Sequence, residues 1–222
     1  MFKQKKLDFI YKKLSSEDVS DADLHILDKL SRDRDSFIRQ QAADLLYNID
    51  SPGAEKLLLG MLGDKCSDVR SSACRSLCTS CSSETIEALI PLAANDKDIL
   101  TRGYALISVI EIAVRINAVS DGLTEFLETG LRKEAEPWVT AAYHYALYIA
   151  GKEEYLTSFL EGLNNADYRV RCMTANLLTE AANKDNNTDI IKASLRMRLG
   201  IEDTVAARSS VMNALKALDN VS

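Results

Sequence analysis

Glycine and proline are scarce in this chain, with only 9 Gly and 3 Pro among 222 residues. Together they make up about 5% of the sequence, against roughly 12% in an average protein. Folds with many tight turns, such as β-sandwiches and β-barrels, need more of both residues. Aromatic residues are also few, at 6%, whereas 46% of the residues are hydrophobic. The composition therefore predicts a mainly helical chain that is long enough to bury a core.

Export signals, membrane spans and disulfide patterns are also missing from the sequence. Asp8 interrupts the amino-terminal region, which therefore lacks the apolar core of a secretory signal. The most hydrophobic stretch, residues 99–119, contains three charged side chains and so predicts a buried helix rather than a membrane span. Five cysteines, an odd number, are typical of free thiols in a reducing compartment. We therefore expect a cytoplasmic protein.

The chain is acidic, because 27 Lys and Arg against 33 Asp and Glu give a net charge of −6. All of the acidic excess lies after residue 40, and a surface of this sign repels a phosphate backbone. Five lysines among residues 3–13 form a basic cluster, for which a solvated helix face is the simplest interpretation. We expect no nucleic-acid partner.

One sequence pattern recurs along the chain: an apolar residue, an arginine and, three positions after the arginine, a small residue. The arginines of the first three copies are separated by 31 and then by 32 residues. One copy, Val139-Thr140-x-x-Tyr143, loses both the arginine and the small residue. Such self-similarity indicates a repeat architecture. The other copies are Ile38-Arg39-x-x-Ala42, Val69-Arg70-x-x-Ala73, Arg102-x-x-Ala105, Val170-Arg171-x-x-Thr174 and Ala207-Arg208-x-x-Val211.

Each copy continues as an amphipathic helix. Positions −1, +3, +6, +7 and +10 relative to the arginine share one helical face, and most of them are apolar. The sequence thus predicts about six helical hairpins of just over thirty residues, each too small to bury its apolar faces alone. We expect one domain over residues 1–222, with two capping helices in 1–31 and the repeats in 32–222. The second helices of the hairpins are predicted at residues 54–62, 85–94, 123–131, 153–163 and 188–199.

The repeated residues resemble those of HEAT repeats, and most of all the short repeats of phycobilisome lyases. The resemblance rests on Asp35-x-x-Ile38-Arg39-x-x-Ala42, Asp68-Val69-Arg70-x-x-Ala73 and Asp167-x-x-Val170-Arg171, and it covers the chain from Arg32 onwards. It implies an all-α, right-handed superhelix, or solenoid, whose arginine-bearing helices line the concave face. It also implies a ladder of side chains that links adjacent repeats: Asp35, Arg39, Asp68, Arg70, Asp98, Arg102, Asp167 and Arg171.

Positions +1, +5 and +8 from the arginine point away from the predicted core, and in the middle of the chain they are aromatic or aliphatic. Tyr and Trp side chains on a solvent-facing groove are typical anchors for a segment of a partner protein. The alternative is a tighter curvature that buries the same side chains between repeats. The predicted partner-binding residues are Asp44, Tyr47, Arg75, Tyr104, Ile107, Trp138, Tyr145, Tyr148 and Asn176.

The sequence predicts neither a metal site nor a catalytic centre. Cys74, Cys78 and Cys81 follow one helical stripe, and the last two form a CxxC motif. A zinc site usually needs four ligands, and a second Cys or His pair is missing. Glu111 and Arg115 lie four residues apart, which is typical of a local ion pair. Because no phosphate loop, HExxH or GxSxG motif is present, we expect no cofactor and no enzymatic activity.

The function that the pattern favours is a protein-interaction module, acting as a scaffold, an adaptor or an immunity-type inhibitor. Its concave face would bind a segment of another protein or a peptide; we expect no membrane contact and favour a monomer. Two alternatives follow from the HEAT resemblance. One is a DNA glycosylase that acts on alkylated bases, although Trp138 is the only tryptophan and the acidic charge is unfavourable. The other is a protein that handles a chromophore or cofactor, similar to phycobilin lyases.

Overall fold

The computed structural model describes residues 2–14, 20–182 and 187–220. All regular elements in these residues are helices, so the predicted all-α class is confirmed. None of these helices is both long and apolar enough to cross a membrane. Short 3₁₀ turns at Leu77–Thr79 and Gly162–Asn164 follow two of them. The α-helices are α1 (Phe2–Leu14), α2 (Asp21–Ser31), α3 (Ser36–Leu46), α4 (Pro52–Met61), α5 (Ser67–Ser76), α6 (Ser83–Asn95), α7 (Ile99–Arg115), α8 (Asp121–Leu131), α9 (Pro137–Ile149), α10 (Tyr155–Glu161), α11 (Tyr168–Ala182), α12 (Thr188–Ile201) and α13 (Val205–Asp219).

The chain divides into two compact units, residues 1–118 and 119–222, and each is described by itself. The single domain expected over residues 1–222 stays a prediction. The helices predicted before the repeats correspond to α1 and α2, and the predicted second helices of the hairpins correspond to α4, α6, α8, α10 and α12.

In the first unit, α3, α5 and α7 lie side by side. α4 packs on α5 and α6 packs on α7, whereas α1 and α2 both contact α3. Burial of the shared apolar stripe holds these helices together, since one hairpin alone would leave it in water. The buried residues at the repeated positions include Ile38, Ala42, Leu45, Leu46, Val69, Ala73 and Leu77.

The first helix is amphipathic. Leu7 and Ile10 are buried, whereas Lys5 and Lys12 are exposed. These two lysines thus lie on a solvated face, as the sequence predicted. The side chains of the other three amino-terminal lysines lie outside the described residues.

In the second unit, α11 lies between α9 and α13, while α8 and α10 pack on α9 and α12 packs on α13. The aberrant fourth copy of the pattern is accommodated by a glycine. Tyr143 of α9 stands where most other copies have Ala, and a Cβ atom on Gly130 of α8 would overlap its ring. Thr174 of α11 faces Gly162 in the same way. In both cases the helix with the larger side chain faces a glycine in the preceding helix or in the turn that ends it.

Polar side chains fix where several helices begin. Ser51, Ser82 and Ser120 each accept a hydrogen bond of 3.2 Å from a backbone N–H two or three residues later. Such caps satisfy donors that have no partner within the helix. Pro52 and Pro137 occupy the first turn of α4 and α9, where the missing N–H of proline is not needed.

The recurrent arginines connect successive hairpins through paired hydrogen bonds. In each pair the Nε and Nη2 atoms of the arginine donate to the two oxygens of one carboxylate. This two-pronged geometry matches the planar guanidinium to the carboxylate. The pairs and their donor–acceptor distances are Arg39–Asp64 (2.6 and 2.7 Å), Arg70–Asp96 (2.7 Å twice) and Arg171–Glu202 (2.8 Å twice).

A further hydrogen bond from each arginine continues this ladder. The Nη1 atom donates to the backbone oxygen of the residue six positions earlier in the chain. Asp64 therefore holds Arg39 with its carboxylate and Arg70 with its carbonyl, and its carboxylate also accepts the N–H of Cys66 at 2.8 Å. The Nη1 bonds are Arg39–Asp33 (2.8 Å), Arg70–Asp64 (2.9 Å), Arg102–Asp96 (2.9 Å), Arg171–Asn165 (2.8 Å) and Arg208–Glu202 (3.3 Å).

The carboxylates of the ladder correct the expectation from the sequence. Asp35, Asp98 and Asp167 accept backbone N–H groups at the starts of α3, α7 and α11, and Asp68 is exposed in the first turn of α5. The arginines pair with acidic residues from the turn that precedes the next arginine-bearing helix. An Asp at a helix start is a good cap in its own right, so its recurrence beside the arginine does not indicate an ion pair.

Removing one partner of the most buried ion pair should strongly destabilise the second unit. The side chains of Arg171 and Glu202 are 7% and 0% exposed. We expect Arg171→Ala to lower the free energy of unfolding by up to about 3–5 kcal/mol. The buried Glu202 carboxylate then loses two hydrogen bonds and keeps only Arg198, at 2.8 Å, as a close ion-pair partner. Urea denaturation followed by circular dichroism measures this loss.

Arg169 provides a matched control, since it pairs with its near neighbour Asp167 at 2.7 Å on the surface. Arg169→Ala should leave the urea midpoint nearly unchanged because exposed ion pairs contribute little. Equal losses in the two variants would contradict a special role for the buried pair.

Acid should weaken the ladder. Hydrogen bonds from Arg171 hold the pKa of the Glu202 carboxyl well below its ordinary value of 4.5. Burial alone would raise the pKa of Asp64, but the hydrogen bond from Arg39 and the other favourable contacts lower it overall. Because these carboxyl pKa values are lower in the folded than in the unfolded state, their stabilisation is complete above about pH 5 and is lost as the pH falls through the folded-state values.

We expect the free energy of unfolding, from urea titrations, to fall between about pH 5 and about pH 3. Glu202→Gln should be less stable than the wild type at neutral pH, yet lose less stability on acidification because one shifted carboxyl is gone. An unchanged pH slope in this variant would show that Glu202 does not contribute to the acid sensitivity.

Candidate functional site

Four of the nine predicted partner-binding residues are buried. Ile107 of α7 is 6% exposed, and Trp138, Tyr145 and Tyr148 of α9 are 8%, 1% and 3% exposed. Side chains with so little accessible surface cannot anchor a partner on this structure. The predicted aromatic centre of the docking surface is therefore corrected, because these four residues belong to the core.

The tyrosines are buried because α9 has neighbours on several sides, namely α8, α10 and α11. The ring of Tyr145 lies 5.5 Å from that of Phe159 on α10. The hydroxyl of Tyr148 accepts a hydrogen bond of 3.1 Å from Nδ2 of Asn187. Positions that would face solvent on an isolated amphipathic helix face another helix in a stack. For Tyr145 and Tyr148, the alternative of burial between repeats describes the structure.

Four other predicted residues lie at accessible positions in the first unit. Asp44 of α3 accepts a hydrogen bond of 2.8 Å from Nη2 of Arg75 of α5, and the Arg75 side chain is 52% exposed. Tyr47, directly after α3, is 46% exposed, and Tyr104 of α7 is half-buried. We call the surface formed by Asp44, Tyr47, Arg75 and Tyr104 the α3–α5–α7 face. Asn176, the remaining predicted residue, is exposed on α11 in the second unit.

The charges of Asp44 and Arg75 influence the pKa of the Tyr104 hydroxyl. Burial raises the pKa of Tyr104; the positive charge of Arg75 opposes that shift and the negative charge of Asp44 adds to it. The hydroxyl therefore keeps its proton at neutral pH and can both donate and accept a hydrogen bond. The α3–α5–α7 face thus combines an exposed guanidinium, a carboxylate and two tyrosines.

Cys78, Glu111 and Arg115 extend the α3–α5–α7 face. They are not among the partner-binding residues predicted from the sequence. Nη1 of Arg115 donates to the backbone oxygens of Cys78 and Ser80 at 2.5 and 3.1 Å, which connects α7 to the end of the preceding repeat. Burial, with the charge of Glu111 close by, raises the pKa of the Cys78 thiol to about 12. The available signal was the spacing of Glu111 and Arg115, which the sequence suggested only as a local ion pair.

The stacked hairpins have counterparts among known proteins. The sequence pattern that describes HEAT repeats matches residues 24–110. This part of the chain contains HEAT repeats. All four residues that define the α3–α5–α7 face lie within the matched segment. Among curated proteins, none matches the chain.

Two solved structures are similar to this chain to different degrees. A chain in the complex of CpcE and CpcF of phycocyanin lyase from Nostoc sp. PCC7120 has a TM-score of 0.58 and 19% sequence identity, over 90% of this chain and 83% of that chain. An engineered protein has a TM-score of 0.43 and 20% identity, over 89% of this chain and 97% of its own. The likeness to the lyase chain shows the fold alone and confirms the predicted HEAT-like solenoid.

The cysteines of the HEAT repeats are free thiols. Cys74 is fully buried, and burial raises its pKa well above the ordinary value. Cys74 and Cys78 are therefore protonated at neutral pH, whereas a nucleophile or metal ligand needs the thiolate. Cys81, the second cysteine of the CxxC motif, is exposed. Within the described residues, no group of three or more His, Cys, Asp or Glu is placed to hold a metal ion.

Truncating a buried tyrosine of α9 should destabilise the fold. Tyr145→Ala removes a ring that packs against Phe159, and such truncations cost about 3–5 kcal/mol. We expect this loss in urea denaturation. Tyr168, at 44% exposure, is the matched control, and Tyr168→Ala should change the free energy of unfolding by less than about 0.5 kcal/mol. If Tyr145→Ala were as stable as the wild type, the burial of Tyr145 in the core would be contradicted.

Proposed function

We propose that the chain is a non-enzymatic protein-interaction module and that a partner protein binds to its α3–α5–α7 face. The observation that carries this proposal is the half-exposed pair of Asp44 and Arg75, with Tyr104 close to both charges and Tyr47 just beyond Asp44. Tyrosine and arginine are enriched among the residues that dominate binding energy at protein interfaces. A tyrosine ring also offers a large contact area at a low cost in conformational entropy.

The charges of the face favour a protein over a nucleic acid as partner. Asp44 and Glu111 offset Arg75 and Arg115, so the surface offers no excess of positive charge to a phosphate backbone. A partner segment with a carboxylate can pair with the exposed guanidinium of Arg75. An aromatic or aliphatic residue of the same segment can pack on Tyr47. We infer a helix or loop of this composition as the bound segment.

The similar lyase structure supports a protein partner in one respect, because it contains CpcE together with CpcF. An association between HEAT repeats and a second protein is the kind of contact that we propose. Scaffold, adaptor and immunity-type inhibitor remain the candidate roles, and all three require a surface that binds another protein.

Affinity purification from cells that express the chain tests the α3–α5–α7 face. We expect Tyr47→Ala and Arg75→Glu to abolish recovery of a partner that copurifies with the wild type, as quantified by mass spectrometry. With that partner purified, each variant should weaken binding at least about tenfold in titration calorimetry. Tyr168→Ala is the matched control, since its ring is 44% exposed, against 46% for Tyr47, and should leave recovery unchanged.

Unchanged recovery with both face variants, once circular dichroism shows that they are folded, would contradict the proposed surface. DNA binding by the wild type at low salt would favour the glycosylase alternative, because electrostatic association is strongest there. A copurified chromophore would favour the lyase-like alternative.

A further inference from the structure

Arg208 occupies a ladder position but has no carboxylate partner among the described residues. Its Nη1 atom donates to the backbone oxygens of Leu199 and Glu202 at 3.1 and 3.3 Å. In the ladder pairs of Arg39, Arg70 and Arg171, the other two donor atoms, Nε and Nη2, hold a carboxylate of the following hairpin. The Arg208 side chain is exposed, so the same two atoms can take a carboxylate from another molecule.

A stacking position on the same helix is uncovered. The residue four positions after a ladder arginine is 0% exposed at Ala43, Cys74 and Ala175. A neighbouring hairpin covers it; for example, Oγ of Ser76 donates to the backbone oxygen of Ala43 at 2.9 Å. The corresponding residue of α13, Met212, is 39% exposed. This surface of α13 therefore has the character of an inter-repeat contact without a described neighbour.

Two apolar residues beside Arg208 are also in water. Ile201, at the end of α12, is 70% exposed, and Val205, at the start of α13, is 84% exposed. The packing of the second unit does not explain an isoleucine at position 201. The equivalent positions of the other repeats are all exposed and carry a polar residue or glycine: Arg32, Gly63, Asn95, Lys133 and Asn164.

An exposed carboxylate completes the surface. Asp203 lies in the turn between α12 and α13, and its side chain is 90% exposed. Its ion pair with Arg171 is long, at 3.9 Å, and contributes little in water. Asp203 and Arg208 thus carry opposite charges at exposed positions before and after Val205 in the sequence. We call Ile201, Asp203, Val205, Arg208 and Met212 the C-terminal patch.

We propose that the C-terminal patch binds the same patch of a second copy of the chain. A two-fold interface must be self-complementary, and this patch carries both members of an ion pair around an apolar centre. Arg208 of each copy donates two hydrogen bonds to the Asp203 carboxylate of the other copy, as Arg171 does to Glu202. The two-fold symmetry therefore gives two such ion pairs. The interface between the two ion pairs buries the apolar side chains of Ile201, Val205 and Met212.

The proposed interface is small, so the dimer forms with a dissociation constant on the order of micromolar or weaker. This proposal differs from the monomer that the sequence favoured. It does not rest on the proposed function, because the α3–α5–α7 face contributes no residue to it.

A charge exchange in the full chain tests the pairing. Sedimentation velocity from about 1 to about 200 µM should show a concentration-dependent equilibrium between monomer and dimer. Arg208→Asp and Asp203→Arg should each weaken the dimer at least about tenfold, because like charges then face each other. The double variant should restore the dimer, since the exchanged charges again meet opposite ones.

Two apolar variants separate this interface from general surface effects. Val205→Asp should weaken the dimer, whereas Phe37→Asp, at a 54% exposed position of α3, should leave it unchanged. Circular dichroism checks that each variant is folded. Each of four results would overturn the proposal: a monomer at every concentration, single variants that dimerise like the wild type, a folded double variant that stays monomeric, or assemblies larger than a dimer.

Discussion

The pairing of a buried arginine with a carboxylate of the next hairpin is the constraint on which both units depend. Apolar contact between two helices tolerates a small slide, because one aliphatic side chain substitutes for another. The ion pair of Arg39 and Asp64 does not tolerate such a slide. A shift of one residue would leave the charged N–H donors of Arg39 buried and without an acceptor. A buried ion pair adds little net stability compared with apolar residues of the same size, but it is costly to break. The ladder therefore specifies the register in which the hairpins stack.

The hairpins and their core could be predicted from the sequence because both are local signals. Helical periodicity and the scarcity of turn residues define the helices, and the repeated arginine marks the same position in each of them. The partners of the arginines could not be predicted in this way. Asp35 and Asp64 are both acidic residues near a helix start, and only the stacking of hairpins brings Asp64 to Arg39, 25 residues away. Local spacing favours the nearer residue, which is a helix cap.

The same reasoning explains which part of the predicted surface the structure retains. The sequence of α9 has no Asp, Glu, Lys or Arg, and a helix without a charged side is typically buried all round. That signal, rather than the angular offset of Tyr145 and Tyr148, indicates their burial. By contrast, α3 and α5 carry Asp44 and Arg75 on the side away from the core, and these positions are accessible. On the predicted docking surface, the charged residues Asp44 and Arg75 thus indicated accessibility better than helical angle did.

The glycines opposite Tyr143 and Thr174 limit how far the repeats are interchangeable parts. Side-chain volume has been exchanged between α8 and α9, which belong to successive hairpins, so that Gly130 and Tyr143 fit each other. If α9 were placed against a helix without a glycine at the position of Gly130, Tyr143 would overlap the side chain there. If an alanine replaced Tyr143 opposite Gly130, a cavity would remain. A hairpin of this chain therefore cannot be exchanged alone: α8 and α9 would have to move together, although they belong to successive repeats of the sequence.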